Sequence, residues 1–117
     1  MGDLEVYVDG SGKNGAYCYL FPGGKPRVFL GEQHLTNNQA EYKAIIAALQ
    51  EHPREELTLL SDSQLAVRQL NGEYEIRNSK LRELAEEVRS LCRDRKVVFK
   101  WIPREENLAG KMLETLI

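Results

Sequence analysis

Cysteine is scarce in this chain of 117 residues, which carries only Cys18 and Cys92. Neither belongs to a CxxC pair or stands near a histidine, which argues against a zinc site and leaves both as buried, reduced thiols. No apolar run approaches the roughly 20 residues needed to span a bilayer. The start, Met1-Gly2-Asp3-Leu4-Glu5, is acidic where a secretion signal would be basic, so a cytoplasmic location is expected. An excess of one charge is missing too. Sixteen Lys and Arg against 18 Asp and Glu leave a net charge of −2, which gives no global pull toward nucleic acid. Internal repeats, linkers and low-complexity tracts are also absent. What remains is an ordinary globular composition, 42% hydrophobic and 29% charged. The length is enough for one domain over residues 1–117 that buries its own core.

The distribution of charge says more than its total. Between Arg89 and Arg104 stand Arg89, Arg93, Arg95, Lys96, Lys100 and Arg104 against a single acid, Asp94. Such a run is either a solvated face or a patch for an anionic partner.

Hydrophobic spacing orders the elements. Leu4 to Val8 reads as a first strand, Ala16 to Phe21 as a second, and Arg27 to Gln33 as a third, returning antiparallel after the turn Pro22-Gly23-Gly24-Lys25-Pro26. Helical spacing follows from Ala40 to Leu49, with Glu41, Ile45 and Ala48 on one face, and Pro53 closes that helix. Leu57-Thr58-Leu59-Leu60 is too uniformly apolar to have a wet face, so it is expected to be a buried parallel strand. Gln64 to Leu70 and Ser79 to about Arg93 read as helices, the latter with a stripe of Leu81, Leu84, Ala85, Val88 and Leu91. Lys96 to Ile102 is a fifth strand, and a last helix starts near Glu106. The expected fold is α/β: a five-stranded mixed sheet, an antiparallel meander of strands 1–3 followed by parallel strands 4 and 5, with helices on both faces.

Three acids fall at junctions of this pattern. Asp9 ends the first strand beside Gly10, Ser11 and Gly12, where a charged ligand can approach the backbone unobstructed. Asp-Gly after a strand is also simply a turn signal. Glu41 shares N-cap and N3 spacing with Asn38, a capping box, and Ser61 or Asp62 is placed to cap the next helix. Together, however, Asp9 and Asp62 leave parallel neighbouring strands at their carboxyl edge, where α/β sheets keep their sites. Three carboxylates gathered there repel one another unless a cation neutralises them. Oxygen ligands favour Mg2+ or Mn2+ over zinc. Two such ions about 3.5–4 Å apart suit phosphodiester hydrolysis.

Four stretches then carry a family resemblance. Val6-Tyr7-Val8-Asp9-Gly10-Ser11, Thr36-Asn37-Asn38-Gln39-Ala40-Glu41-Tyr42, Ser61-Asp62-Ser63-Gln64 and Trp101-Ile102-Pro103-Arg104-Glu105-Glu106-Asn107-Leu108-Ala109 resemble, in order and spacing, the motifs of type 1 ribonuclease H in its compact archaeal and bacterial form. The resemblance covers essentially the whole chain. It implies cleavage of the RNA strand of RNA–DNA hybrids with Mg2+ or Mn2+, leaving 5′-phosphate and 3′-hydroxyl ends. With no coiled-coil seam in the sequence, a monomer is the default expectation. By position, Asp9, Glu41 and Asp62 are the expected catalytic metal ligands. Gly10, Ser11, Asn37, Asn38 and Gln64 are the expected substrate contacts, and of these Asn37, Asn38 and Gln64 resemble the polar groups that reach the minor groove, where the 2′-hydroxyl marks RNA.

The chain departs from that pattern in three places. The family's fourth carboxylate follows an alanine at the start of the last helix, where this chain has Ala109-Gly110. Asn107 is the first candidate to supply an oxygen instead, with Glu106 and Glu114 behind it. Loss of the acid is expected to weaken the second metal, reducing activity or favouring Mn2+, and at the limit leaving a module that binds hybrid without cutting. The histidine that many members carry before the last helix is missing, His34 being expected on a strand surface and His52 at a helix end. The basic protrusion of some members is replaced by the short acidic Asn71-Gly72-Glu73-Tyr74-Glu75. Hybrid binding is then expected to rest on Arg77, Lys80 and the Arg89–Arg104 region. Changing Lys96, Lys100 and Arg104 together to alanine is expected to weaken hybrid binding and flatten its salt dependence; an unchanged slope would count against this surface.

Overall fold

The β-branched and aromatic residues of Leu4–Ser11 form β1, the central strand. The structure, a computed structural model, describes residues 4–117, so the Met1–Asp3 part of the acidic start lies outside the described residues. β2 (Ala16–Leu20) and β3 (Arg27–Phe29) follow as an antiparallel meander, while β4 (Leu57–Ser61) and β5 (Val97–Trp101) add parallel on the other side of β1. The sheet order is β3-β2-β1-β4-β5, a mixed sheet of the kind expected, with the meander of strands 1–3 beside parallel strands 4 and 5. Leu57, Leu59 and Leu60 of β4 are all buried, which is why that strand shows no polar alternation.

Alternation along β1 sends its residues to two different cores. Val6 and Val8 are fully buried under α1 (Asn37–Glu51) and α3 (Ser79–Leu91). Tyr7 packs on the opposite face, against Ala16, Cys18, Ala109 and Leu113, where α4 (Leu108–Leu116) covers the sheet. α1 is held between the sheet and α3, so its buried set runs almost continuously from Ala40 to Leu49 and not along a single stripe. α3 has solvent on its outer side and shows the expected stripe of Leu81, Leu84, Ala85 and Val88. The short α2 (Gln64–Leu70) leans on β5 and α1.

Local chemistry moves several boundaries. α1 begins at Asn37 because Thr36 is its N-cap: the Thr36 hydroxyl accepts from Gln39 N and the Gln39 side chain accepts from Thr36 N, both at 3.1 Å. The capping box is therefore Thr36 with Gln39, not Asn38 with Glu41, and the Glu41 carboxylate is left for other partners. Ser63, not Ser61 or Asp62, caps α2. β1 runs through Asp9 to Ser11, so Asp9 lies within the strand. β3 stops at Phe29 and not at Gln33, because Gly31 (φ +82°) and His34 (φ +65°) take left-handed backbone that a strand cannot use. His34 thus sits in a turn, and His52 is the C-cap of α1. A 3₁₀ turn, Arg104–Glu106, separates β5 from α4 and delays the last helix to Leu108. Cys18 is buried and Cys92 half-buried, and both are free thiols. Among the described residues no helix is long and apolar enough to cross a membrane.

Two polar groups tie these layers together from inside. Arg95 donates to the carbonyls of Leu49, His52, Glu55 and Leu91, gathering the ends of α1 and α3. The buried Tyr42 hydroxyl donates to Oε1 of buried Gln69 at 2.8 Å, joining α1 to α2. Tyr42→Phe removes that donor and strands an amide oxygen, so stability to urea is expected to fall by about 1–3 kcal/mol. Unchanged unfolding would show that the pair is not needed.

Candidate active site

Three elements deliver one carboxylate each: β1 brings Asp9, the first turns of α1 bring Glu41, and the exit of β4 brings Asp62. Gly10 makes the approach possible. A Cβ there would lie 2.3 Å from the Ala40 carbonyl carbon and 2.6 Å from Glu41 N, so only glycine lets β1 touch the start of α1. Gly10 N then donates to Glu41 Oε1 at 3.2 Å, and Ser61 Oγ donates to Glu41 Oε2 at 3.2 Å. Among the described residues, Asp9, Glu41 and Asp62 form a metal-capable cluster in which one oxygen from each lies within 4.8 Å of the others.

These acids line an open cleft of about 420 Å³. Gly10, Ser11, Asn37, Asn38 and Ser63 share its lining with Arg104, Leu113, Glu114 and Ile117. Gly12 N donates to Asn37 Oδ1 at 2.9 Å, which engages the oxygen of that amide and leaves its NH2 as donor. Gln64 opens α2 on an exposed position outside the cleft lining, and Lys96 and Lys100 are exposed at and along β5.

The last turn and helix close the cluster in an unexpected way. Arg104 Nη1 donates to Asp9 Oδ1 and to Asp62 Oδ2, both at 2.9 Å, and Nη2 donates to Glu114 Oε1 at 3.0 Å. Arg104 is therefore the counter-ion of the acids and not part of an open basic face. Arg89 and Arg95 likewise donate to main-chain carbonyls, so three of the six basic residues of the run make internal contacts, while Arg93, Lys96 and Lys100 are exposed. Asn107, expected to offer an amide oxygen to a metal, is fully buried, with Oδ1 capping α4 through Ala109 N and Gly110 N. Its Nδ2 faces the site, donating to Asp62 Oδ2 and to Val8 O at 2.9 Å. Glu106 is exposed on the 3₁₀ turn, away from the cleft lining. The Arg104 and Ser61 contacts escaped sequence reasoning. The first was hidden in the basic run, and the second gave no signal, since Ser61 looked like a helix cap.

Burial, then the nearby Asp9 charge, push the Glu41 carboxyl well above the usual carboxylate range. Burial also raises Asp9, opposed by its hydrogen bond with Glu41 and by the Arg104 charge. The Cys18 thiol, paired with Asp9 across the strands, is pushed up to about 12 by burial and then by Asp9 and Glu41. A desolvated set of hard oxygen donors at the floor of an open cleft fits a divalent metal ion. Without one, the folded state holds a proton, at Glu41 above all, that the unfolded chain releases at lower pH, so stability falls as pH rises above the ordinary carboxylate range. The melting temperature in chelator is expected to drop as pH rises above the ordinary carboxylate range, and Glu41→Gln to flatten that drop. Curves indifferent to pH in both proteins would contradict the assignment.

Residues 1–110 match the RNase H family model. The structure of LC11-RNase H1 in complex with RNA/DNA hybrid superimposes with a TM-score of 0.83 at 26% identity, over 95% of this chain and 93% of that one. RNase H1 from the halophilic archaeon Halobacterium salinarum NRC-1 gives 0.83 at 27% identity, over 96% and 94%. With the bifunctional protein Rv2228c of Mycobacterium tuberculosis the chain is 33% identical over 76 residues, 62% of this chain. It spans about a fifth of the length of that relative, 21%. By the match over nearly its whole length, joined to this sheet order, the chain belongs to the RNase H family.

Proposed function

We propose that this chain is an endoribonuclease that hydrolyses the RNA strand of RNA–DNA hybrids with Mg2+ or Mn2+, acting as a cytoplasmic monomer. The observation that carries the reading is the meeting of Asp9, Glu41 and Asp62 oxygens within 4.8 Å on the floor of an open cleft. The similarity to LC11-RNase H1, captured with RNA/DNA hybrid, supports the substrate class. Asp9, Glu41 and Asp62 are the residues that would hold the metal. Once bound, it supplies positive charge against the scissile phosphate and acidifies water, so that hydrolysis leaves 5′-phosphate and 3′-hydroxyl ends.

The rest is the work of the chain's own groups. Gly10 N–H and the Ser61 hydroxyl fix both oxygens of Glu41, and Asn107 fixes Asp62, so the acids are oriented before substrate arrives. Ser11, Asn37 and Asn38 present neutral polar groups at the cleft edge, suited to 2′-hydroxyls across a wide minor groove. Gln64, exposed at the start of α2, supplies a further polar contact outside the cleft lining. Lys96 and Lys100 meet the phosphate backbone.

One observation favours a second reading. Gly110 offers no carboxylate, and Arg104 bridges two of the three acids, which suits a module that grips hybrid without cutting it. The two readings separate in one assay, a hybrid labelled on its RNA strand and incubated with Mg2+ and then Mn2+. Cleavage is expected, stronger with Mn2+, and Asp9→Asn is expected to reduce it by more than roughly 100-fold, beyond the loss typical of groups that only support a metal ligand. Retained binding with no cleavage in either metal would give the chain to the second reading.

A further inference from the structure

We infer that Arg104 is a tethered cation standing in for one of the two divalent ions, so that the site takes up a single ion. The inference rests on the metal-dependent reading above. Arg104 Nη1 sits 2.9 Å from both Asp9 Oδ1 and Asp62 Oδ2, so it already places a positive charge between two of the three acids that would hold metal. Its other nitrogen is held from the far side by Glu114, one turn beyond Gly110 on α4. The fork is thus clamped at both ends.

Gly110 and Arg104 are complementary in space. A Cβ at Gly110 would lie 2.6 Å from Arg104 Nη1 and 2.9 Å from Cζ, so any side chain at position 110 would displace the guanidinium. The position where the resemblance expects a fourth carboxylate is therefore the floor on which the arginine rests. Asn107 does not restore the missing ligand, because its oxygen is committed to the helix and it turns its donor toward Asp62. The cluster has one negative group fewer than the resemblance implies, and the Arg104 guanidinium lies across two of those that remain. Ionised Asp9, Glu41, Asp62 and Arg104 together carry a net charge of −2, which one divalent ion balances. Arginine suits this place because its guanidinium stays charged and its planar fork spans two carboxylates.

The test counts Mn2+ on the full chain by calorimetry and by electron paramagnetic resonance, with melting temperatures measured with and without the ion. Wild type is expected to bind one Mn2+. Arg104→Gln is expected to melt lower than wild type in chelator, to gain more from Mn2+, and to bind it more tightly by roughly 10- to 100-fold, the range over which neighbouring groups tune a metal site. Arg104→Gln combined with Gly110→Asp is expected to bind two ions, and Arg104→Lys to keep one. Two ions on wild type, or an Arg104→Gln protein with unchanged melting and affinity, would overturn the inference; the single variant decides it should the double one fail to fold. Hybrid cleavage measured alongside keeps the two claims apart. Cutting by a wild type that holds two ions overturns the arginine's role alone, while one bound ion without cutting leaves that role standing and removes the nuclease reading.

Discussion

Mutual repulsion of three carboxylates is the constraint that the surrounding structure answers. Two like charges about 4 Å apart repel by roughly 4 kcal/mol at an effective dielectric near 20, and here Asp9 and Glu41 are also withdrawn from water. The chain offsets this with groups from every side: Gly10 N–H and Ser61 on Glu41, Asn107 on Asp62, and Arg104 across Asp9 and Asp62. Each contact is long-range in sequence, so the acids stay together only while the sheet, α1 and the 3₁₀ turn before α4 are all in place.

The scaffold behind the site explains why its geometry is tight. β1 is the middle strand, paired on both edges, and its two faces are sealed by different helices. Asp9 projects toward the α4 side, as Tyr7 does, while Val6 and Val8 anchor the same strand in the larger core. α4 packs on Cys18 through Ala109 and Leu113, and Cys18 Sγ donates to Ala109 O at 3.3 Å. The helix that carries Gly110 is therefore seated on the strand that pairs with Asp9, and the arginine's pocket inherits that rigidity.

Much of this was legible from residue spacing. The uniformly apolar Leu57–Leu60 could only be an inner strand, and the stripe from Leu81 to Val88 could only be a helix wet on one side. What was illegible turned on choices between neighbours of similar chemistry. Thr36, Asn37 and Asn38 are all good caps, and the reciprocal partner Gln39 decides for Thr36. Periodicity carries β3 to Gln33, but backbone conformation at Gly31 and His34 ends it four residues sooner. The three acids could be picked out by their positions at junctions, whereas Arg104 could not. In the sequence it is one of six basic residues within sixteen positions, and only its seat against Gly110, where no side chain intervenes, distinguishes it.

Sequence separation also imposes an order of assembly. Asp9, Glu41 and Asp62 are translated well before Arg104, which lies 95 positions beyond the first of them. All three acids therefore exist in the growing chain before the arginine that bridges two of them has been made, and the ion pairs close only when β5 and the turn after it have joined the sheet.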